Sequence, residues 1–216
     1  MAHEDQSKLC LVVEAANGED TSRRVGAVLQ SVDIAVLFIS PAGCAQHNAA
    51  AARQLVEFAQ SNGVAALVEN DAQLARALRA DGVHLSWAKQ AVKQYEEARQ
   101  IVGNRCIVGA DAGRSRHDAM TLGEAGADYV GFGIPAHVVD RETACARQLA
   151  LIEWWSEIFE VPCVALDVAT LKDAKALVHA GADFVALAIP ADLAIEQLPR
   201  WAQDLADALI DREAAA

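Results

Sequence analysis

Basic residues are scarce in this chain. Its 216 residues carry 18 Lys and Arg against 30 Asp and Glu, a formal net charge of −12. So acidic a surface argues against a grip on nucleic acid or on an anionic membrane. It also argues against an anionic substrate, unless a few cations gather at one site. Proline is held to 5 residues and glycine to 13, which excludes low-complexity and collagen-like classes. The 5 Cys are an odd number, with no CxxC pair and no Cys/His cluster. Neither a disulfide framework nor a zinc site is therefore indicated. No apolar run approaches the roughly 20 residues needed to span a bilayer. The opening stretch, Met1 to Lys8, is polar and acidic and lacks the basic-then-apolar order of a secretory leader. A cytoplasmic protein acting on a small molecule is the expectation.

What the chain has in quantity is apolar residues, 53% of the total, enough for a sizeable core. They come in eight short runs: Leu9–Val13, Ile34–Ile39, Val64–Val68, Gly82–Leu85, Cys106–Ala110, Tyr129–Phe132, Cys163–Leu166 and Phe184–Ile189. Near-continuous apolarity over so few residues fits parallel strands buried on both faces. The segments between them read as helices. Thr170 to Asp173 and Ser115 to Asp118 have the form of N-terminal capping boxes, and Gly126 and Gly181 stand where helices stop. One phrase, helix end then Asp then strand, recurs at Asp33, Asp81, Asp128 and Asp183, spaced 48, 47 and 55 residues apart. That period is about two βα units, and four double units make a (β/α)8 TIM barrel, an α/β fold. A single domain over 1–216 follows, with 1–8 and 212–216 as frayed termini. The repeated Asp fall at strand starts, the face of a barrel that serves stability.

Chemistry in such barrels sits on the loops after the strands. Leu67-Val-Glu69-Asn70-Asp71, Ala80-Asp81-Gly82-Val83-His84-Leu85 and Gly126-Ala-Asp-Tyr-Val-Gly131-Phe132-Gly133 resemble the thiamine-phosphate synthase family, which includes the related thiazole tautomerases. The resemblance runs from Ile34 to Ile189. It implies the same barrel and a transferase of thiamine biosynthesis. Such an enzyme joins a pyrimidine alcohol diphosphate to a thiazole alcohol phosphate, with magnesium, and releases pyrophosphate. It implies that Asn70 and Asp71 serve the site, Asp71 as a magnesium ligand.

Several positions differ from the family pattern. The Gln-x-Arg-x-Lys that ends its second strand is Val36-Leu37-Phe38-Ile39-Ser40 here. Its second magnesium carboxylate is Lys89, a fixed cation in the metal's place. Its Ser after strand five is Asp111, and its Gly-Gly after strand seven is Asp167-Val168. The Thr- and Lys-bearing sixth loop is Ile134 to Val139, with Arg141 the nearest cation. Lys89, Arg114 and Arg141 form the remaining cation set for an anionic ligand.

Read without the family, four odd-numbered strands end in carboxylates: Glu14, Glu69, Asp111 and Asp167. With matching registers they would form an acidic ring at the mouth, suited to a metal or an organic cation. The competing reading is that each caps the next helix, and Asn70-Asp71 carries the same alternative. His137 follows strand six on the chemical face and is a candidate acid–base group, whereas His84 reads as a packed strand residue. Cys10, Cys106 and Cys163 read as small core residues. Of Trp154 and Trp155, one should face the barrel and the other suits a contact in a homo-oligomer. Two functions follow: a synthase of thiamine metabolism using Lys89, Arg114 and Arg141, or a diverged barrel that binds another small ligand or acts as a non-catalytic partner.

Overall fold

The alternation of apolar runs and amphipathic stretches closes into a ring of eight parallel strands, each followed by a helix. A computed structural model describes residues 7–16, 18–41, 45–135 and 137–210. The strands are β1 (Lys8–Glu14), β2 (Val36–Ser40), β3 (Ala65–Glu69), β4 (Gly82–Leu85), β5 (Ile107–Asp111), β6 (Val130–Phe132), β7 (Cys163–Ala165) and β8 (Phe184–Ala188). They pair in chain order, and β8 returns to β1. The helices are α1 (Gly18–Leu29), α2 (Ala45–Ser61), α3 (Ala72–Leu78), α4 (Ala91–Val102), α5 (Arg116–Glu124), α6 (Arg141–Ile158), α7 (Leu171–His179) and α8 (Leu198–Ile210).

Side-chain alternation along each strand divides the core in two. Cys10, Phe38, Leu67, Tyr129, Val164, Leu166 and Ala186 fill the barrel interior. The opposite faces, including Leu37, Val68 and Val83, pack beneath the helices, against buried helix residues such as Ile152 of α6. Trp155 is fully buried in that outer layer and donates its indole N–H to the Val161 carbonyl at 2.7 Å. Trp154 is half-buried, with Arg116 lying 4.7 Å over its ring. The Ser115 and Thr170 hydroxyls accept the N–H groups of Asp118 and Asp173, each at 3.1 Å, and so start α5 and α7.

The N-terminal edge is more firmly held than composition suggests. Lys8 opens β1 in register with Phe184, and the buried Ser7 hydroxyl donates to the Ala182 carbonyl at 2.6 Å. Ser7 and Lys8 therefore belong to the barrel and not to a frayed end, because pairing with β8 satisfies their polar groups. The rest of the expected frayed stretches, 1–6 and 212–216, lies outside the described residues.

The Asp repeat has a physical explanation. Asp81 accepts the Ala66 N–H of β3 at 2.8 Å, Asp128 accepts the Val108 N–H of β5 at 2.7 Å, and Asp183 accepts the Cys163 N–H of β7 at 2.8 Å. Each carboxylate thus joins the start of an odd strand to the even strand that follows. Removing one leaves a part-buried amide without an acceptor, which costs about 1–3 kcal/mol. Asp128→Ala, which also removes the ion pair with Arg99, should lower unfolding stability by an amount in that range in a urea titration. A change below a few tenths of a kcal/mol would show that water replaces the carboxylate.

Candidate functional site

At the carboxyl ends of the strands the barrel opens into a cavity of about 290 Å³. Val12 and Leu166 line its apolar side, with Ile134 and Pro135 from the loop after β6. Glu69, His84, Asp111 and Asp167 supply its polar groups, and Ser86 and Trp87 complete the rim. Three larger hollows, of about 730, 700 and 560 Å³, lie between α1 and α2, at the amino-terminal end of the barrel, and beside the loops after β3 and β4. The mouth is the better candidate because only there do the loops after several strands converge.

Asp111 ends β5 and is 6% exposed. Its Oδ1 accepts the N–H groups of Gly113 at 2.6 Å and Gly133 at 3.0 Å. Burial nevertheless pushes its pKa up to about 6, against those two bonds and a third from the Trp87 backbone, and with help from the charge of Asp167. Glu69, at the end of β3, is also raised, first by burial and then by Asp167, while a bond from Ser40 opposes the shift. Asp167 follows β7 with a left-handed backbone, φ 56°, which Asp tolerates better than most residues. Its Oδ2 accepts the Ile134 N–H at 2.8 Å.

His84 forms part of the floor. Its Nδ1 lies 2.7 Å from the Tyr129 hydroxyl, and the two rings stack with 8° between their planes. Tyr129 fits only because residue 109 is glycine: a Cβ there would stand 2.2 Å from the phenol ring. Burial lowers the His84 pKa to about 4, so the imidazole is neutral at physiological pH. It offers one N–H and one lone pair. Gln148 of α6 is buried and donates to the Phe132 carbonyl at 2.6 Å and the Leu166 carbonyl at 2.7 Å, tying together the chain ends that carry Gly133 and Asp167.

The structure thus brings Glu69, Asp111 and Asp167 to one cavity. Glu14 is absent from its lining. Val12 takes the β1 position there, and Glu14 stands two residues further out, about 6.6 Å along a strand, where it is exposed. Asp167 reaches the mouth by its left-handed turn. Strand alternation alone points Leu166 inward.

The expected cations do not converge. Lys89, Arg114 and Arg141 are exposed and outside the lining. The Arg141 guanidinium turns to the Ile134 carbonyl at 3.5 Å. His137 is exposed, its ring 6.1 Å from that of Trp87. Asn70 is exchanged into hydrogen bonds with Ser86, at 2.8 and 2.9 Å, which join the loops after β3 and β4. Asp71 accepts the Leu74 N–H at 2.8 Å and starts α3. Both border a neighbouring hollow that shares Ser86 and Trp87 with the mouth. Among the described residues no three His, Cys, Asp or Glu side chains are grouped to hold a metal ion. Asp71 thus spends one carboxylate oxygen on capping α3, and Lys89, an ammonium that cannot ligate a metal, stands where the resemblance places the second magnesium carboxylate.

Sequence reasoning missed Trp87, Tyr129, Gly109 and Gln148. Only Gln148 left a usable signal. It interrupts the buried stripe of α6 formed by Ala144, Leu151, Ile152 and Trp155, where a polar residue needs partners.

The sequence pattern described as thiamine monophosphate synthase matches residues 9–189. The chain belongs to that family. It is 42% identical over 148 residues to the thiamine-phosphate synthase of Erythrobacter litoralis, covering 67% of this chain and 68% of that protein. It is 45% identical over 129 residues to the thiamine-phosphate synthase of Hyphomonas neptunium, covering 60% of this chain and 57% of that protein. The matched stretch is therefore little more than half of the Hyphomonas relative. Among solved structures, the thiamine phosphate pyrophosphorylase of Pyrococcus furiosus superposes with a TM-score of 0.73 at 20% identity, over 95% of this chain and 96% of that one. The tryptophan synthase of Mycobacterium tuberculosis reaches 0.70 at 12% identity, over 95% and 93%. At such identities the likeness concerns the barrel alone. The barrel is thus shared with both of these proteins. Among the described residues, no helix is long and apolar enough to cross a membrane.

Proposed function

We propose that the protein works in the cytoplasm in thiamine metabolism and takes a small organic ligand at the barrel mouth. Family membership supports the metabolic assignment. The four described cysteines are free thiols, which suits a reducing compartment. The observation that carries the site is its lining: Glu69, Asp111 and Asp167 around a neutral His84, with no Lys or Arg among the described lining residues.

In the family reaction a diphosphate ester breaks its C–O bond, and pyrophosphate leaves with the electron pair. Rapid departure needs positive charge at the leaving oxygens. Val36–Ser40 supplies none, and Lys89, Arg114 and Arg141 stand apart. A magnesium ion would bring that charge, but Asp71 with Lys89 is a poor pair to hold it. The protein is therefore read as one that binds a ligand of this metabolism and performs the transfer slowly or not at all. A second reading, the full synthase reaction, is favoured by the 42% and 45% identity to named synthases.

One assay separates the two. Purified protein is given the pyrimidine alcohol diphosphate, the thiazole alcohol phosphate and magnesium, and thiamine phosphate is measured beside an authentic synthase. We expect a rate at least about 100-fold below the control, the cost of losing a single charge-stabilising donor. A rate within tenfold of the control would establish the synthase reading.

A further inference from the structure

Gln148 is the polar member of the buried stripe of α6, 4% exposed, and it stands outside the cavity lining. An apolar side chain would fill that place with no need of partners. The carboxamide nitrogen has two N–H donors, and both are used, on the Phe132 carbonyl at 2.6 Å and the Leu166 carbonyl at 2.7 Å. The registered pairs of β6 and β7 end at Phe132 and Ala165, so the carboxamide ties the two chains where their ladder stops.

Those carbonyls are each one end of a peptide unit whose other end serves the mouth. A peptide unit is flat and trans, so its C=O and N–H point in opposite directions in one plane. The N–H opposite the Phe132 carbonyl belongs to Gly133 and donates to Asp111 Oδ1 at 3.0 Å. The N–H opposite the Leu166 carbonyl belongs to Asp167, whose left-handed φ of 56° brings its carboxylate to the Ile134 N–H at 2.8 Å. The Phe132 carbonyl also accepts the Leu166 N–H at 3.1 Å, so the carboxamide and the two strand ends close a small ring of hydrogen bonds. A carbonyl that accepts a hydrogen bond polarises its peptide and makes the N–H a stronger donor.

We infer that Gln148 is a positioning residue of the mouth, acting from α6 through the 132–133 and 166–167 peptide units on Asp111 and Asp167. A residue outside the cavity thereby sets the direction of two side chains within it. Residue 148 is uncharged, so the link is carried by hydrogen bonds alone. The titratable groups around Asp111 are Glu69, His84 and Asp167 in the cavity and Tyr129 beneath it. None of them bonds to Gln148.

The test uses the full chain and Gln148→Met, which keeps the unbranched length and removes both donors. Ile152→Val is the control, a fully buried apolar site one turn along the same helix. Magnetic resonance follows the backbone amides and the Asp111 carboxyl carbon against pH. In Gln148→Met the Gly133 amide proton should move upfield, as a weakened donor does. The Gly113 amide, which bonds the same Asp111 oxygen from a peptide that Gln148 does not touch, should move less. The Asp111 midpoint should rise from its wild-type value of about 6, by about half a unit or more, because a bond to the charged form is weakened. Ile152→Val should lower the urea midpoint and leave both signals in place.

An unmoved Asp111 midpoint in folded Gln148→Met would overturn the inference, as would equal shifts in Ile152→Val. If Gln148→Met does not fold, the wild type decides. Couplings across the hydrogen bonds from Gln148 Nε2 to the Phe132 and Leu166 carbonyl carbons would support the link, and their absence would overturn it. The inference takes from the functional reading only that the mouth is the site, and none of these measurements uses a ligand. Thiamine phosphate formation at a synthase rate would therefore overturn that reading alone, and an unmoved Asp111 would overturn the inference alone.

Discussion

Gly82→Ala should leave no folded barrel. Gly82 opens β4 between Leu67 of β3 and Ile107 of β5. A Cβ there would stand 1.9 Å from the Ile107 carbonyl oxygen, 2.7 Å from its carbonyl carbon and 2.8 Å from Leu67 Cδ2. The first two obstacles are backbone. They can recede only if β5 moves away from β4, which breaks the bond from Ile107 N–H to the Asp81 carbonyl at 2.9 Å and the ladder beyond it. Overpacking a side chain costs about 1–3 kcal/mol; displacing a central strand of a closed barrel exceeds that and falls in the rare class above about 4–5 kcal/mol. Domains of this kind hold only about 5–15 kcal/mol in total. We expect loss of soluble protein and of the cooperative urea transition. Gly63→Ala is the control. Its φ is 75°, with nothing within 4 Å of an added Cβ, so it should cost only the backbone penalty of about 1–2 kcal/mol. Comparable stability of the two variants would show that β4 and β5 separate at little cost.

Asp111→Asn should make the protein more stable at pH 8, and by less at lower pH. Burial raises the Asp111 pKa from 3.8 to about 6. Between those values the folded state holds a proton that the unfolded chain releases, so stability falls as pH rises. Above pH 6 the full cost of a buried charge is present, on the order of 3 kcal/mol at 1.36 kcal/mol per pKa unit. Glu69, also raised, acts with the same sign. His84 acts oppositely. Its pKa is lowered from 6.5 to about 4, so below pH 6.5 the unfolded state takes up the proton first. Stability therefore rises with pH from 4 to 6.5. Over pH 4–6 the slopes of Asp111 and His84 oppose each other, and the wild type should look nearly flat.

The asparagine variant removes the falling component. An amide carries no charge to bury and keeps an oxygen for the Gly113 and Gly133 N–H groups. We expect a gain on the order of 2–3 kcal/mol at pH 8, little gain at pH 4, and an exposed rise between pH 4 and 6.5. Urea titrations across that range would measure it. A variant less stable than wild type at pH 8, or one with an unchanged pH profile, would mean that solvent or a neighbour already relieves the Asp111 charge. A residue that lowers stability this much in its own fold suits a site kept for function.

These outcomes bear on what a sequence can disclose. The eight runs were legible because strands buried on both faces leave short, unmixed apolar segments, and β4 agrees at both ends. The Asp repeat was legible because one hydrogen bond recurs in three of the double units. The mouth was less so. Glu14, Glu69 and Asp111 share a pattern along the chain, but the distance each strand projects decides which carboxylates meet. Asp167 enters through a backbone rotation that no apolar pattern records. Lys89, Arg114 and Arg141 looked like a set only because they lie near loops that a barrel brings together. Lys89 and Arg114 are exposed, and the Arg141 guanidinium turns to the Ile134 carbonyl outside the lining. Tyr129 and Gly109 are informative only as a pair, since the space above the glycine is what the phenol fills.

The left-handed turn at Asp167 has a consequence for descent. At φ 56° the backbone already has the shape that a glycine adopts freely. The N–H groups of Gly113, Gly133 and Ile134 point into the mouth whichever residue stands opposite. A lineage could therefore pass between a mouth that welcomes negative charge and one that refuses it by exchanging side chains at 111 and 167, with every strand left in place. On this scaffold the charge of the mouth changes with the side chains at 69, 111 and 167, and the barrel itself is neutral on the question.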